Sequence, residues 1–265
     1  MSFKHSIYRF LSLNVWGSLP AWLQKGISWF YTRIYEKPFS KHFIRPYCKI
    51  HYPDPNYLDQ FKPPKNKSDF QNFQDFFIRE FKKPPEINSE AVWGCEGILC
   101  EYGKVDETPL VKVKGEERHL KTIFGRLGDE IPSDYFFSNV FLHNRNYHRI
   151  HTPVTGIIKR IERIAGDLVL LRPWVYKKDP SLPALRNERV NVDVEDDKGR
   201  RWFLSIVGGP AVGTIVMGNG IEIGSEVSIG QEIGTFLLGS TLCIAAPVEL
   251  SKHTVGDQVF MGEPF

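Results

Sequence analysis

The sequence has no run of about 18 or more apolar residues, so no transmembrane helix is expected and any membrane contact should be peripheral. Its start lacks the charged, apolar and small-residue succession of a secretory signal. Cysteine is sparse: Cys48, Cys95, Cys100 and Cys243 are scattered, and Cys95 and Cys100 stand too far from other ligand-type residues for a zinc site. All four read as reduced and mostly buried, which points to the cytoplasmic face of a membrane. Neither charge sign dominates. Lys and Arg number 34 against 31 Asp and Glu, a formal excess of +3 that suits an anionic membrane surface but gives no argument for nucleic acid. No internal repeat or low-complexity tract is present, and no glycine spacing opens a helix in the manner of a dinucleotide or phosphate loop.

What is present is ordinary globular composition over 265 residues, 42% hydrophobic and 25% charged, enough for one sizeable core and an appendage. The first 50 or so residues crowd Trp16, Trp22, Trp29 and other aromatics among Lys4, Arg9, Lys25, Arg33 and Lys37. The spacing Leu19, Trp22, Leu23, Ile27, Phe30, Ile34 predicts an amphipathic helix, with Ser18 near its cap and Pro20 in its first turn. Such a face suits a membrane interface, and it equally suits packing on the body of the protein. Tyr52 to Ser68 reads as a connector. The expected division is therefore a membrane-associating helical region with its connector, 1–68, and a second domain, 69–265. Phe70, Phe73, Phe76, Phe77 and Phe81 predict a further helix between Asp69 and Ile87, ended by Pro84-Pro85. From Ala91 on, short apolar or alternating runs punctuated by glycine predict many strands, with a short helix near Leu120 to Leu127. The expected class is α+β, with a sheet-rich barrel or sandwich-like core beneath N-terminal amphipathic helices.

Four stretches carry candidate chemistry. In FLLGSTLCIAAP, Phe236 to Pro247, Gly239 removes bulk beside Ser240, whose hydroxyl lies within reach of the Gly239 carbonyl. These are the parts of a backbone N→O acyl shift, although Gly-Ser-Thr between two strands also reads as a plain turn. In NRNYHRIHTPVTG, His148 and His151 could serve as a structural pair, as metal ligands or as acid/base groups, on a loop or strand start. In GCEGIL, Glu96 either sits at a solvent-facing turn or points inward to orient a histidine. In VGGPAVGTI, Val207 to Ile215, glycines and a proline let backbone approach a ligand closely.

The chain resembles the phosphatidylserine decarboxylases, pyruvoyl-dependent enzymes made as self-cleaving proenzymes. The resemblance is carried by FFIREFK (Phe76 to Lys82), VKVKG (Val111 to Gly115), YHRIHTPVTG (Tyr147 to Gly156), NERV (Asn187 to Val190), VGGPAVGTI and GQEIGTFLLGST (Gly230 to Thr241), in the family's order. It implies cleavage between Gly239 and Ser240, giving a β chain that ends at Gly239 and an α chain whose Ser240 has become a pyruvoyl cofactor. It implies that His151 activates Ser240, that an acidic residue orients His151, and that His148 is the acid/base of decarboxylation. Glu96 stands where the family has Asp, one methylene longer, which bears on the speed of self-cleavage. The implied substrate is phosphatidylserine in a membrane and the implied product phosphatidylethanolamine. Oligomeric state stays open, a homodimer included. Two alternatives are a decarboxylase of another amino-acid headgroup and a lipid-binding homologue that does not mature.

Overall fold

The computed structural model describes residues 3–54, 56–176, 178–209, 214–237 and 239–265. The helices are α1 (Phe3–Phe10), α2 (Ala21–Glu36), α3 (Lys41–His51), α4 (Asn56–Asp59), α5 (Phe73–Phe77) and α6 (Leu182–Arg186). The strands are β1 (Phe61–Lys62), β2 (Glu80–Phe81), β3 (Gly97–Lys104), β4 (Val111–Val113), β5 (Glu116–Arg118), β6 (Phe136–Leu142), β7 (Arg149–His151) and β8 (Gly156–Ile164). They continue as β9 (Arg189–Asp196), β10 (Arg201–Gly208), β11 (Ile215–Met217), β12 (Glu226–Val227), β13 (Glu232–Phe236), β14 (Ser240–Ala246) and β15 (Gln258–Val259).

The α+β class holds. Eight strands form one antiparallel sheet in the order β12-β8-β9-β10-β14-β6-β3-β15, and β11-β13-β7 form a smaller one beside it. The barrel expected as one form of the core does not close among the described residues. The large sheet ends at β12 and β15, two-residue strands too short to pair along a barrel seam.

Its central strands are apolar on both faces, and period-2 alternation shows why. Trp202, Leu204 and Ile206 of β10 join Leu242 and Ile244 of β14 in one apolar cluster. Phe203 and Val207 join Cys243 and Ala245 in the other. Burying each large side chain contributes about 1.5–3 kcal/mol, so the middle of this sheet is its firmest part.

Local chemistry departs from the expected helices at two places. α2 starts at Ala21 with Pro20 at its cap position, whereas the Ser18 hydroxyl donates to the Asn14 and Val15 carbonyls and closes the preceding turn. The helix expected between Asp69 and Ile87 is the five-residue α5 alone. Asn72 caps it by accepting from the Asp75 N–H, and by Glu80 and Phe81 the chain is extended and paired with β1. The phenylalanine spacing reports burial instead: Phe73 and Phe76 pack against the rings of Tyr47 and Tyr35 or Tyr52. The expected short helix at Leu120 is a 3₁₀ segment, Leu120–Glu130, kinked at Gly125.

The N-terminal helices both pack and remain exposed. Trp16 Nε1 donates to the Leu168 carbonyl at 2.7 Å, Ser12 Oγ and Tyr176 OH lie 2.8 Å apart, and Arg9 pairs with Asp179. Trp22, Phe30, Phe10 and Trp29 nevertheless stay exposed, Trp22 by 72%. Among the described residues no helix is long and apolar enough to cross a membrane.

Candidate active site

Ser240 is the first residue of β14, paired with Gly208 of β10 on one side and Leu142 of β6 on the other. Strand pairing on both sides buries it completely. Gly239 precedes it with φ +51, a left-handed conformation that favours glycine, so the chain enters the central strand through a sharp bend. Gly209 packs against that bend. A Cβ on Gly209 would stand 2.7 Å from the Gly239 carbonyl oxygen, so only glycine fits there without moving backbone. Of VGGPAVGTI, residues 210–213 lie outside the described residues, as does Leu238 next to the bend.

The small sheet delivers the histidines. β7 pairs with β13, and the Phe236 N–H donates to the His148 carbonyl at 2.8 Å, which sets His148 beside the segment leading to Ser240. α5 holds the same segment from below: Gln74 Nε2 donates to the Leu237 carbonyl at 2.8 Å. Phe77, also on α5, stacks on the His148 ring with centroids 3.9 Å apart.

His148 Nδ1 lies 3.0 Å from Ser240 Oγ, and His148 Nε2 lies 3.1 Å from the His143 carbonyl oxygen. A carbonyl only accepts, so Nε2 carries the proton and Nδ1 is left to accept from the serine hydroxyl. Burial, reinforced by the positive Arg79, holds His148 well below the usual imidazole range, so the ring is neutral near pH 7. A neutral imidazole with a free lone pair on a serine hydroxyl is the arrangement of a general base and its nucleophile.

His151 has a different setting. Its Nδ1 donates to the Gly230 carbonyl at 2.8 Å, leaving Nε2 to accept from the Tyr147 hydroxyl at 3.0 Å. Burial lowers its pKa to about 4. Both nitrogens are engaged, so the resemblance's expectation of His151 on Ser240 is not what the geometry shows; His148 occupies that place. Glu96 points inward and is only 4% exposed, yet it does not bond His151. Its carboxylate accepts from the Tyr57 hydroxyl at 2.8 and 2.9 Å and from Asn146 Nδ2 at 2.7 Å. Burial raises its pKa, against the opposing pull of Asn146, Tyr57 and Arg79. Glu96 thereby clamps the 143–147 loop whose carbonyl at His143 orients His148.

Several members of the site escaped sequence reasoning. Tyr57 lies in what reads as a connector. Arg79, fully buried, donates to the Arg145 carbonyl at 2.8 Å and sits over the Phe61 ring at 4.6 Å. Its one signal was a charge directly after the apolar Phe76-Phe77-Ile78 run. Asn187 of NERV donates to the Gly208 and Val169 carbonyls at 2.9 and 2.8 Å, tying the 165–171 segment to the strand opposite Ser240.

A cavity of about 450 Å³ opens beside Gly239, between the N-terminal helices and the core. Leu11, Trp16, Ile27, Phe141 and Leu171 make its walls mostly apolar, and Ser12, Asn144 and Arg172 supply polar groups. Its size and lining are those of a small-molecule or lipid-headgroup site.

Comparison with known proteins converges on one family. The family model described as phosphatidylserine decarboxylase matches residues 73–265. A phosphatidylserine decarboxylase proenzyme of Mannheimia succiniciproducens is 31% identical over 222 residues, 73% of this chain and 74% of the relative. Its counterpart in Methylobacillus flagellatus is 30% identical over 200 residues, 67% of this chain and 70% of the relative. That of Glaesserella parasuis serovar 5 is 28% identical over 225 residues, 74% and 75%. The family model covers most of the chain, its span contains the bend at Gly239, both histidines and Glu96, and the chain belongs to the phosphatidylserine decarboxylase family.

Proposed function

We propose that the chain is a self-cleaving, pyruvoyl-dependent phosphatidylserine decarboxylase, a carboxy-lyase, in which His148 takes the proton of Ser240. The observation that carries this reading is the 3.0 Å contact from His148 Nδ1 to Ser240 Oγ, made by an imidazole whose other nitrogen is committed to a carbonyl. As Oγ bonds to the Gly239 carbonyl carbon, its proton passes to Nδ1. The Gly239–Ser240 C–N bond breaks, the freed amine takes up a proton, and Gly239 is left as an ester of Ser240 Oγ. Loss of the Ser240 Cα proton then expels the Gly239 carboxylate. The resulting dehydroalanyl end consumes one water, releases ammonia and becomes a pyruvoyl group.

The surroundings fit such a group. Ser240 supplies its atoms in a fully buried position, and Gly209 lets the Gly239 backbone come in beside it where a Cβ would clash. Once formed, the group supplies the electron sink that lets the substrate carboxylate depart as CO₂. The chain's own residues do the rest. Phe77 keeps the His148 ring in place and shields it from water, and His148 is positioned to return a proton at the carbon the carboxylate leaves. Glu96 and His151 act as positioning residues, through Asn146 and Tyr147 on either side of the same loop.

The reading makes residues 1–68 the membrane-associating region and 69–265 the catalytic domain, with the α chain from Ser240 and the β chain as its partner. Exposed Trp22, Trp29 and Phe30 are suited to headgroup depth, and the four free cysteines suit the reducing, cytoplasmic side of a membrane. The test uses vesicles of carboxyl-labelled phosphatidylserine. The wild-type protein should release labelled CO₂, and Ser240→Ala should release none and stay a single chain. Equal release from Ser240→Ala would overturn the cofactor assignment.

A further inference from the structure

We propose that Arg172 is the phosphate-binding residue of the cavity beside Gly239, holding the phosphodiester of a glycerophospholipid while the headgroup amine lies at residue 240. The inference rests on the decarboxylase reading of that site and extends it to the recognition of substrate. Arg172 and Gly239 line the same cavity, so the guanidinium and the scissile bend open onto one space. Asn144, four residues before His148 in sequence, lines it too.

The guanidinium is held without being neutralised. Its carbon lies 5.3 Å from the Tyr8 ring centroid and 5.9 Å from that of Trp174. Aromatic faces fix a guanidinium and leave its N–H fork available. The backbone beneath is fixed as well, since the Val175 N–H donates to the Arg172 carbonyl at 2.9 Å. Among the described residues no carboxylate pairs with Arg172, in contrast to Arg149, Arg186 and Arg201. A fixed, unpaired cation at the rim of an apolar cavity matches a lipid with an anionic head and an apolar body.

The headgroup of phosphatidylserine carries two anions, and the chemistry chooses between them. The carboxylate must leave as neutral CO₂, so a cation clamped on it would stabilise the ground state more than the transition state and slow the step. The phosphate keeps its charge throughout, so binding it fixes the substrate without opposing the reaction. Because Tyr8 belongs to α1, the helix bearing exposed aromatics also touches the residue that would hold the headgroup.

The test separates the two anions and does not depend on turnover. Short-chain phosphatidylethanolamine, which has the phosphate and the amine but no carboxylate, is titrated calorimetrically into wild type, Arg172→Gln and Arg172→Lys. Arg172→Gln should weaken binding by about 10- to 100-fold, with Arg172→Lys between it and wild type. For phosphatidylserine the KM of Arg172→Gln should rise by a similar factor with kcat nearly unchanged. Unchanged phosphatidylethanolamine binding in Arg172→Gln overturns the proposal, and a raised KM beside it would assign the guanidinium to the carboxylate. Arg172-dependent binding by a wild-type protein that releases no CO₂ would instead sink the decarboxylase reading and leave the phosphate site standing.

Discussion

At the scale of single residues, the site is decided by which hydrogen-bonding positions are already taken. His148 and His151 are three residues apart, one just before β7 and the other at its end, both buried and both neutral, yet only His148 has a nitrogen left for Ser240. The tautomer follows from a backbone carbonyl at His143, which in turn depends on the loop that Glu96 and Arg79 hold. Gly209 matters for a steric reason of the same kind. Gly209→Ala would drive a Cβ to 2.7 Å from the Gly239 carbonyl oxygen, and that oxygen belongs to backbone that cannot swing aside as a side-chain end could. We expect the substitution to slow self-cleavage by about 100-fold through misplacement of the scissile carbonyl, while secondary structure is retained. Timed electrophoresis of freshly refolded protein, with circular dichroism as the folding control, checks it; wild-type cleavage would mean that the bend is not constrained there.

At the scale of elements, the Gly239–Ser240 bond lies where the chain enters a central strand. β14 is sandwiched between β10 and β6, so a chain cut before Ser240 remains held by strand pairing on both sides. This gives a physical reason why the α and β chains can stay together after cleavage. Glu96 links elements far apart in sequence: it sits just before β3, accepts from Tyr57 on α4, and accepts from Asn146 ahead of β7. Glu96→Asp withdraws the carboxylate by one methylene, about 1.5 Å, from both partners. The expected outcome is a stability loss of about 1–3 kcal/mol in urea unfolding, together with slower self-cleavage. An Asp variant as stable and as fast as wild type would show that the longer side chain is not built into the clamp.

Much at this scale was legible in the sequence. Apolar alternation marked β10 and β14, and the α+β class followed from it. Glycine at 239, serine at 240 and histidines at 148 and 151 were visible as chemistry-bearing types. What was not legible has a common cause, namely contacts between residues distant in sequence. The phenylalanines at 70–81 report burial and not one continuous helix: Phe73 and Phe76 meet aromatic rings from α2, α3 and the following turn, Phe77 stacks on His148, and Phe81 packs on Phe61 and Tyr147. Tyr57 looked like connector because its partner, Glu96, is 39 residues away. The choice between His148 and His151 depends on carbonyls at 143 and 230, which no residue type announces.

At the scale of the whole molecule, the N-terminal helices roof the cavity beside Gly239 and present aromatics outward. Trp16 and Ser12 attach the roof to the 168–176 segment, while Trp22 and Phe30 remain exposed. The orientation would place the cavity at headgroup depth when those rings enter a bilayer. Replacing Trp22 and Trp29 together with Ala should reduce sedimentation with anionic vesicles by about 10-fold or more, with self-cleavage unaffected. Undiminished vesicle binding would assign the membrane contact to another surface.

The central claim is that His148 is the proton acceptor for Ser240, and the intact mass of the chain over time tests it most directly. Wild type should pass from one chain to two, with the new N-terminus at position 240 carrying pyruvoyl in place of serine. His148→Gln should remain full-length, its cleavage slowed by at least about 100-fold, and His151→Gln, which disturbs Gly230 and Tyr147 instead, should slow it less. A His148→Gln chain that splits at the wild-type rate would contradict the account.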